Sequence, residues 1–179
     1  MLIRHHLVKF ISSVTMPADG QIWLVLTFLS TLRLGGVYVP PRDSPYYEQS
    51  QWGVVAAHAV EDANTLILGD LNARVGAPQL HDDQGQPFRY VDVKDPQVNA
   101  HGREAVSLCA QNSMVVINHL RHGLKQYDTD LSFKRGGQWI SELDICLAKH
   151  NMLESVIEAK TRQDILGSDH APLCITVDL

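Results

Sequence analysis

Basic residues, cysteines and long apolar runs are all scarce in this sequence, and each scarcity closes off a class of function. Lysine and arginine number 15 against 20 acidic residues, for a net charge of −5. Gripping nucleic acid by bulk electrostatics needs clustered cations and is excluded, so only a local patch such as Lys134-Arg135 can serve. The three cysteines, Cys109, Cys146 and Cys174, are scattered and never form a C-x-x-C pair. That argues against a disulfide framework or a zinc site and makes a reducing compartment the default. The apolar stretch from Ile22 to Leu32 is far shorter than the roughly twenty residues a membrane helix needs, and no membrane partner is expected. Residues 1 to 16 carry no separate h-region or cleavage site, so a signal peptide is not expected and structure should already be under way at Met1.

What is present reads as one α/β domain of strands interleaved with helices. With 45% hydrophobic residues over 179 positions, the chain can build a substantial core. The pattern from Ile22 to Val39 predicts two buried strands joined near Ser30-Thr31, after which three prolines in "PPRDSPYY" break extended structure. Ser44 and Pro45 read as N-cap and first position of a helix carrying Glu48 in its first turn and Trp52, Val55 and Ala59 at helical spacing. Leu66-Ile67-Leu68, closed by Gly69, reads as a buried strand. Residues 77 to 98 show no period and read as a long loop. A second helix is predicted over His101 to Asn112, with Ala105, Leu108 and Cys109 on its buried face, followed by a strand from Met114 to Ile117. "SELDICLAKH" alternates as a strand with two different faces, and the segment from Leu173 to Leu179 alternates likewise.

Several polar residues sit where such sheets collect their chemistry. Asp70 and Asn72 follow the 66–68 strand, at the carboxyl end where open α/β sheets bind ligands; an Asx turn is the alternative. Ser168-Asp169-His170 stands just before the last strand, where a carboxylate beside an imidazole can hold a hard metal or place a donor on a developing anion. Asp144, held on a strand, is the natural acceptor to fix the His170 ring. Tyr38 ends another strand, where a phenol reaches a phosphate oxygen or lies half buried. Asn99 and Asn118 read more readily as turn or cap residues. His119-x-x-His122 lacks the carboxylate that would complete a zinc site.

The four motifs Y-x-P-P, G-D-x-N, S-x-x-D and S-D-H-x-P, in this order, resemble the endonuclease/exonuclease/phosphatase superfamily. The resemblance runs from about Ile3 to Leu179. "GDLNARVG", "NAHGRE", "VVIN" and "SELDICL" look most like the endonuclease domains of non-LTR (LINE-type) retrotransposons. It implies a two-sheet α/β sandwich of the DNase I-like kind that lacks its first strands, and hydrolysis of DNA phosphodiesters with Mg2+, or Mn2+ in its place. By the same resemblance Asp70 activates the attacking water, Asn72 positions it, Asp169 supports the metal, His170 oriented by Asp144 stabilises the transition state, and Tyr38 contacts the phosphate. Asn118, Thr129 and Ser141 match supporting or DNA-contacting positions, and Lys134 and Arg135 are expected to touch the phosphate backbone from a turn overhanging the site.

The departures from the pattern shape the expectation. The family's strand ending in asparagine and its strand ending in the principal metal-binding glutamate have no counterpart here. "MLIRHHL" looks like the next strand already in progress, and Ile145 replaces the usual aromatic after Asp144. Weakened or absent nicking is therefore expected of these 179 residues. Three readings stand: an impaired Mg2+-dependent DNA endonuclease, nuclear if functional; a catalytically dead retroelement fragment that keeps the fold and binds nucleic acid weakly; and a phosphatase of inositol lipids or sphingomyelin, which the retroelement-like segments disfavour. Target sequence and oligomeric state are not legible.

Overall fold

The computed structural model describes residues 5–28, 30–59, 64–164 and 167–178. After a 3-10 turn at His5–Phe10, the chain forms β1 (Ile11–Thr15), β2 (Gln21–Thr27) and β3 (Thr31–Val37), then helix α1 (Ser50–Ala59) and β4 (Asn64–Asp70). Short β5 (Arg89–Tyr90) precedes helix α2 (Ala100–Gln111), β6 (Met114–Val116), β7 (Leu120–His122) and β8 (Lys125–Gln126). The hairpin β9 (Phe133–Arg135) and β10 (Gln138–Ser141), then β11 (Asp144–Lys149), β12 (Val156–Thr161) and β13 (Leu173–Val177) complete it.

A six-stranded sheet in the order β1-β2-β3-β4-β11-β6 forms the frame. Its pairs are antiparallel except β3 with β4, which run parallel through the crossover helix α1. The pair β12–β13 lies against β11, so that Val156 and Ala159 join the main core and Leu173, Ile175 and Val177 pack on it. The remaining strands form three short sheets: β12–β13, the β9–β10 hairpin and β5-β7-β8. Among the described residues, no helix is long and apolar enough to cross a membrane.

The local patterns set most of this. Leu66 and Ile67 are sealed in the middle of β4. At its end Gly69 has φ +150°, and a Cβ there would overlap the Val37 carbonyl oxygen, so only glycine lets β4 close on the end of β3. Helix α2 is capped by Asn99, whose side chain accepts from Gly102 N at 2.7 Å, which settles Asn99 as a cap. Ala105, Leu108 and Cys109 face inward as the spacing requires.

Four expectations change. Ser44-Pro45 does not start α1: turns and a bend occupy most of residues 42 to 49, with Tyr47 N donating to Ser44 O, and Gln51 N donating to Glu48 O as the helix begins. Tyr47 instead packs edge-on against His101, centroids 5.2 Å apart, and this tertiary contact outweighs the proline's helix-start preference. The described part of "MLIRHHL" is the 3-10 turn rather than a strand, and residues 1–4 lie outside the described set, as does Leu179. The 77–98 loop contains β5, which pairs with β7. Strand β11 does not have two contrasting faces: Ile145 through Ala148 are all fully buried, because the sheet is covered on both sides there.

Candidate active site

Strands β4 and β11, both interior to the sheet, run antiparallel with Asp144 directly opposite Asp70, so an edge made of paired strand ends presents two carboxylates side by side. The His170 loop reaches that edge through a bridge between His170 and Phe133, whose rings lie 5.0 Å apart. His170 Nδ1 is 2.8 Å from Asp144 Oδ2, a hydrogen bond in which the ring donates. Its other nitrogen, Nε2, is 3.9 Å from Asp70 Oδ2, too long for a direct bond and a gap that one water or substrate oxygen can bridge. The imidazole is thus suspended between two carboxylates.

Asp70 and Asn72 share a tight turn in which Asn72 N donates to Asp70 Oδ1 at 3.0 Å, so the Asx turn and the convergence on His170 are both present. Asn72 sits at φ +48°, a conformation asparagine tolerates, and its Nδ2 donates to Val39 O at 2.9 Å. Asp169 is exposed, and its backbone oxygen accepts from Lys134 N at 2.8 Å. Its charge acts on both Asp70 and His170.

The electrostatics follow from crowding acids in a half-buried place. Burial pushes the Asp70 carboxyl up from 3.8 to about 6; Asp144 and Asp169 add to the rise, while the Asn72 N–H and His170 oppose it. Burial works against the charge on His170, but the Asp144 hydrogen bond and the three surrounding carboxylates outweigh it and raise the imidazole above its ordinary value. Near neutral pH the edge thus combines an ionised Asp70 close to its pKa with an imidazole biased toward the cation.

Other expected site residues are placed differently. Tyr38 is 45% exposed, and its backbone N–H binds Gly20 O at 2.7 Å. Its ring lines a groove of about 570 Å³ with Gly20, Pro40 and Tyr46, a lining that includes neither Asp70 nor His170. Lys134 and Arg135 occupy the β9–β10 hairpin beside the His170 loop, with Lys134 Nζ 5.3 Å from the Trp139 ring centroid and Gly136 and Gly137 at positive φ in the turn. Asn118, Thr129 and Ser141 require correction as nucleic-acid contacts: they are 2%, 1% and 5% exposed. A side chain sealed from solvent cannot touch a strand laid on the surface. Asn118 and Thr129 instead donate to Glu142 Oε1 at 2.7 and 2.9 Å.

Of the residues that brace this edge, sequence reasoning weighed only His119, and that as a zinc ligand. Glu142, Asp95 and His119 are buried charged or titratable groups, and Arg74 forms a two-pronged ion pair with Asp95, both contacts at 2.7 Å. Arg74 and Glu142 stand inside the quoted motifs, but spacing gave no sign that both bond to Asp95.

For a divalent cation the donor set is thin. Asp144 is engaged by His170, which leaves Asp70 and the exposed Asp169. Among the described residues no group of three or more His, Cys, Asp or Glu could hold an ion. Mg2+ asks for near-octahedral oxygen ligation, and these residues alone do not fit it.

No family model matches the sequence, and no curated protein matches it. Solved structures do match. The endonuclease domain of TRAS1, a telomere-specific non-LTR retrotransposon, superposes with TM-score 0.64 at 15% identity, over 92% of this chain and 66% of that one. The AP endonuclease LMAP from Leishmania major gives TM-score 0.68 at 14% identity, over 98% of this chain and 64% of that one. The 3'-5' exonuclease NExo from Neisseria meningitidis gives 0.63 at 14%, over 94% and 72%. The chain therefore has the DNase I-like α/β fold that these structures share. It spans about two thirds of the length of the first two of these chains.

Proposed function

We propose that the chain derives from a DNA phosphodiesterase of the retrotransposon endonuclease kind, with its chemistry at the Asp70–His170–Asp144 edge. The observation that carries this reading is the imidazole held at 2.8 Å by Asp144 and 3.9 Å from Asp70, at paired strand ends. Similarity to the TRAS1 endonuclease domain supports the retrotransposon type, and a further match to the 3' phosphatase NExo bound to a product DNA hairpin supports DNA as partner. In this reading Asp70 takes a proton from water, and the resulting hydroxide attacks phosphorus as the bond to the leaving oxygen breaks. The Asn72 side-chain oxygen, which has no protein donor among the described residues, accepts from that water and orients it. His170 donates its Nε2–H to a non-bridging oxygen as charge develops there. Tyr38 contacting the phosphate, and Lys134 and Arg135 contacting the flanking backbone, belong to the same proposal.

The thin donor set supports low activity. Asp70 and Asp169 alone do not complete the oxygen ligation that Mg2+ or Mn2+ asks for, which leaves activation of the water to Asp70. The test is plasmid nicking by residues 1–179 with each ion, beside Asp70→Asn, His170→Ala and Asp169→Ala variants. Slow nicking is expected, lost in Asp70→Asn and His170→Ala, rising with pH through about 6 as Asp70 ionises and falling again above the raised His170 value. Robust nicking that survives Asp70→Asn would overturn the reading. DNA binding with no nicking above the Asp70→Asn background would establish the second reading, a catalytically dead protein that keeps the fold, which the same donor set favours.

A further inference from the structure

We infer that Asp95, delivered by the long 77–98 loop, is a positioning residue that ties the segment carrying Asn72 to the segment carrying Asp144. The inference deepens the reading of this edge as a hydrolytic site and rests on that reading only for the word positioning; the linkage itself is structural. Asp95 is 4% exposed and accepts four hydrogen bonds. On one side the Arg74 fork contributes two of them, from a residue two positions past Asn72. On the other, Glu142 N donates to Oδ2 at 3.1 Å, from a residue two positions before Asp144. Gln97 N, at 3.2 Å from Oδ1, fixes the carboxylate within its own loop.

Both ends of this tie are secured further. On the Asn72 side, Asn99 Nδ2 donates to Asn72 O at 2.7 Å while its Oδ1 accepts from Arg74 N at 3.1 Å, so the cap of α2 clamps residues 72 to 74. On the Asp144 side, the Glu142 carboxylate collects Asn118, Thr129 and the His119 ring, and Asn118 Nδ2 also reaches Asp144 O at 3.2 Å. Ser132 Oγ accepts from both Leu143 N and Asp144 N at 2.9 Å. A buried carboxylate is costly unless fully paired, and this one is paired on two segments of distant sequence that both end in site residues. A displacement of about 1 Å at such a site is enough to cost roughly 100-fold in rate.

The test compares Asp95→Asn, which keeps shape but loses the charge that pairs with the fork, and Arg74→Lys, which keeps charge but loses the fork geometry. Lys94→Ala, at an exposed neighbouring position, serves as control. Two-dimensional NMR reads the Asn72 side-chain amide and the Asp144 backbone amide, with thermal unfolding measured alongside. Positioning is expected to shift both resonances in both variants, at temperatures where the protein remains folded, and to leave them in place in the control. Variants that lose thermal stability while both resonances stay put would overturn the inference and leave Asp95 a packing residue. If Asp95→Asn does not fold, Arg74→Lys carries the same decision. Should the unsubstituted chain fail to nick DNA, the function proposed above fails while the resonance result stands.

Discussion

Replacing Asp70 by asparagine is expected to make the protein more stable at neutral pH while removing the proposed base. The folded protein holds the Asp70 carboxyl at about 6 against an ordinary 3.8, chiefly because it is buried. A group whose proton affinity rises on folding contributes its stability when protonated, below the unfolded value, and loses it as pH climbs through the folded value. At about 1.4 kcal/mol for each tenfold change in proton affinity, the rise corresponds to roughly 3 kcal/mol of destabilisation at pH 8. The side chain is 20% exposed, and solvent screening lowers the expectation to about 2 kcal/mol. Asparagine keeps an oxygen for the Asn72 N–H, so the turn has no reason to open. Urea unfolding followed by the fluorescence of Trp23 and Trp52, 1% and 6% exposed, measures both proteins at pH 4 and pH 8. Asp70→Asn should be more stable by about 2 kcal/mol at pH 8, with the gap nearly closed at pH 4. A gap that does not change with pH, or a variant less stable at pH 8, would refute the claim that the fold holds this carboxylate against its preference.

Two further outcomes test the surroundings of the site. Charge reversal in Lys134→Glu with Arg135→Glu should weaken binding to duplex DNA evenly across sequences and reduce the salt slope by about 2, because the hairpin's two cations meet phosphates rather than bases; unchanged affinity and slope in a fluorescence titration would remove the hairpin from the interface. Gly102→Ala should destabilise by about 1–3 kcal/mol despite alanine's better helix propensity, since the added Cβ overlaps the Arg74 carbonyl oxygen; a melting temperature equal to or above the parent's would contradict this packing.

Strand β4, the glycine that ends it, the buried face of α2 and the motifs bearing Asp70, Asp144 and His170 were all legible from order along the chain. Each rests on local regularities: apolar runs for buried strands, helical spacing, and the placement of polar groups after a strand. The Asp144–His170 contact was legible too, because an imidazole working on an anion needs an acceptor behind it and Asp144 stood on a rigid element. Other features depended on partners far away in sequence. Ser44-Pro45 carries every local sign of a helix start, yet Tyr47 packing on His101 moved the helix to Ser50. Asn118, Thr129 and Ser141 matched supporting or DNA-contacting positions, and only the packed structure shows all three buried. The meeting of Arg74, Asp95 and Glu142 has no signature in spacing, for Asp95 lies in a stretch without period and its partners stand 21 and 47 positions away. Backbone conformation is largely a local matter and can be read along a chain. Which buried charge finds which partner is decided only when the segments pack, because the cost of leaving it unpaired arises only once water has been excluded.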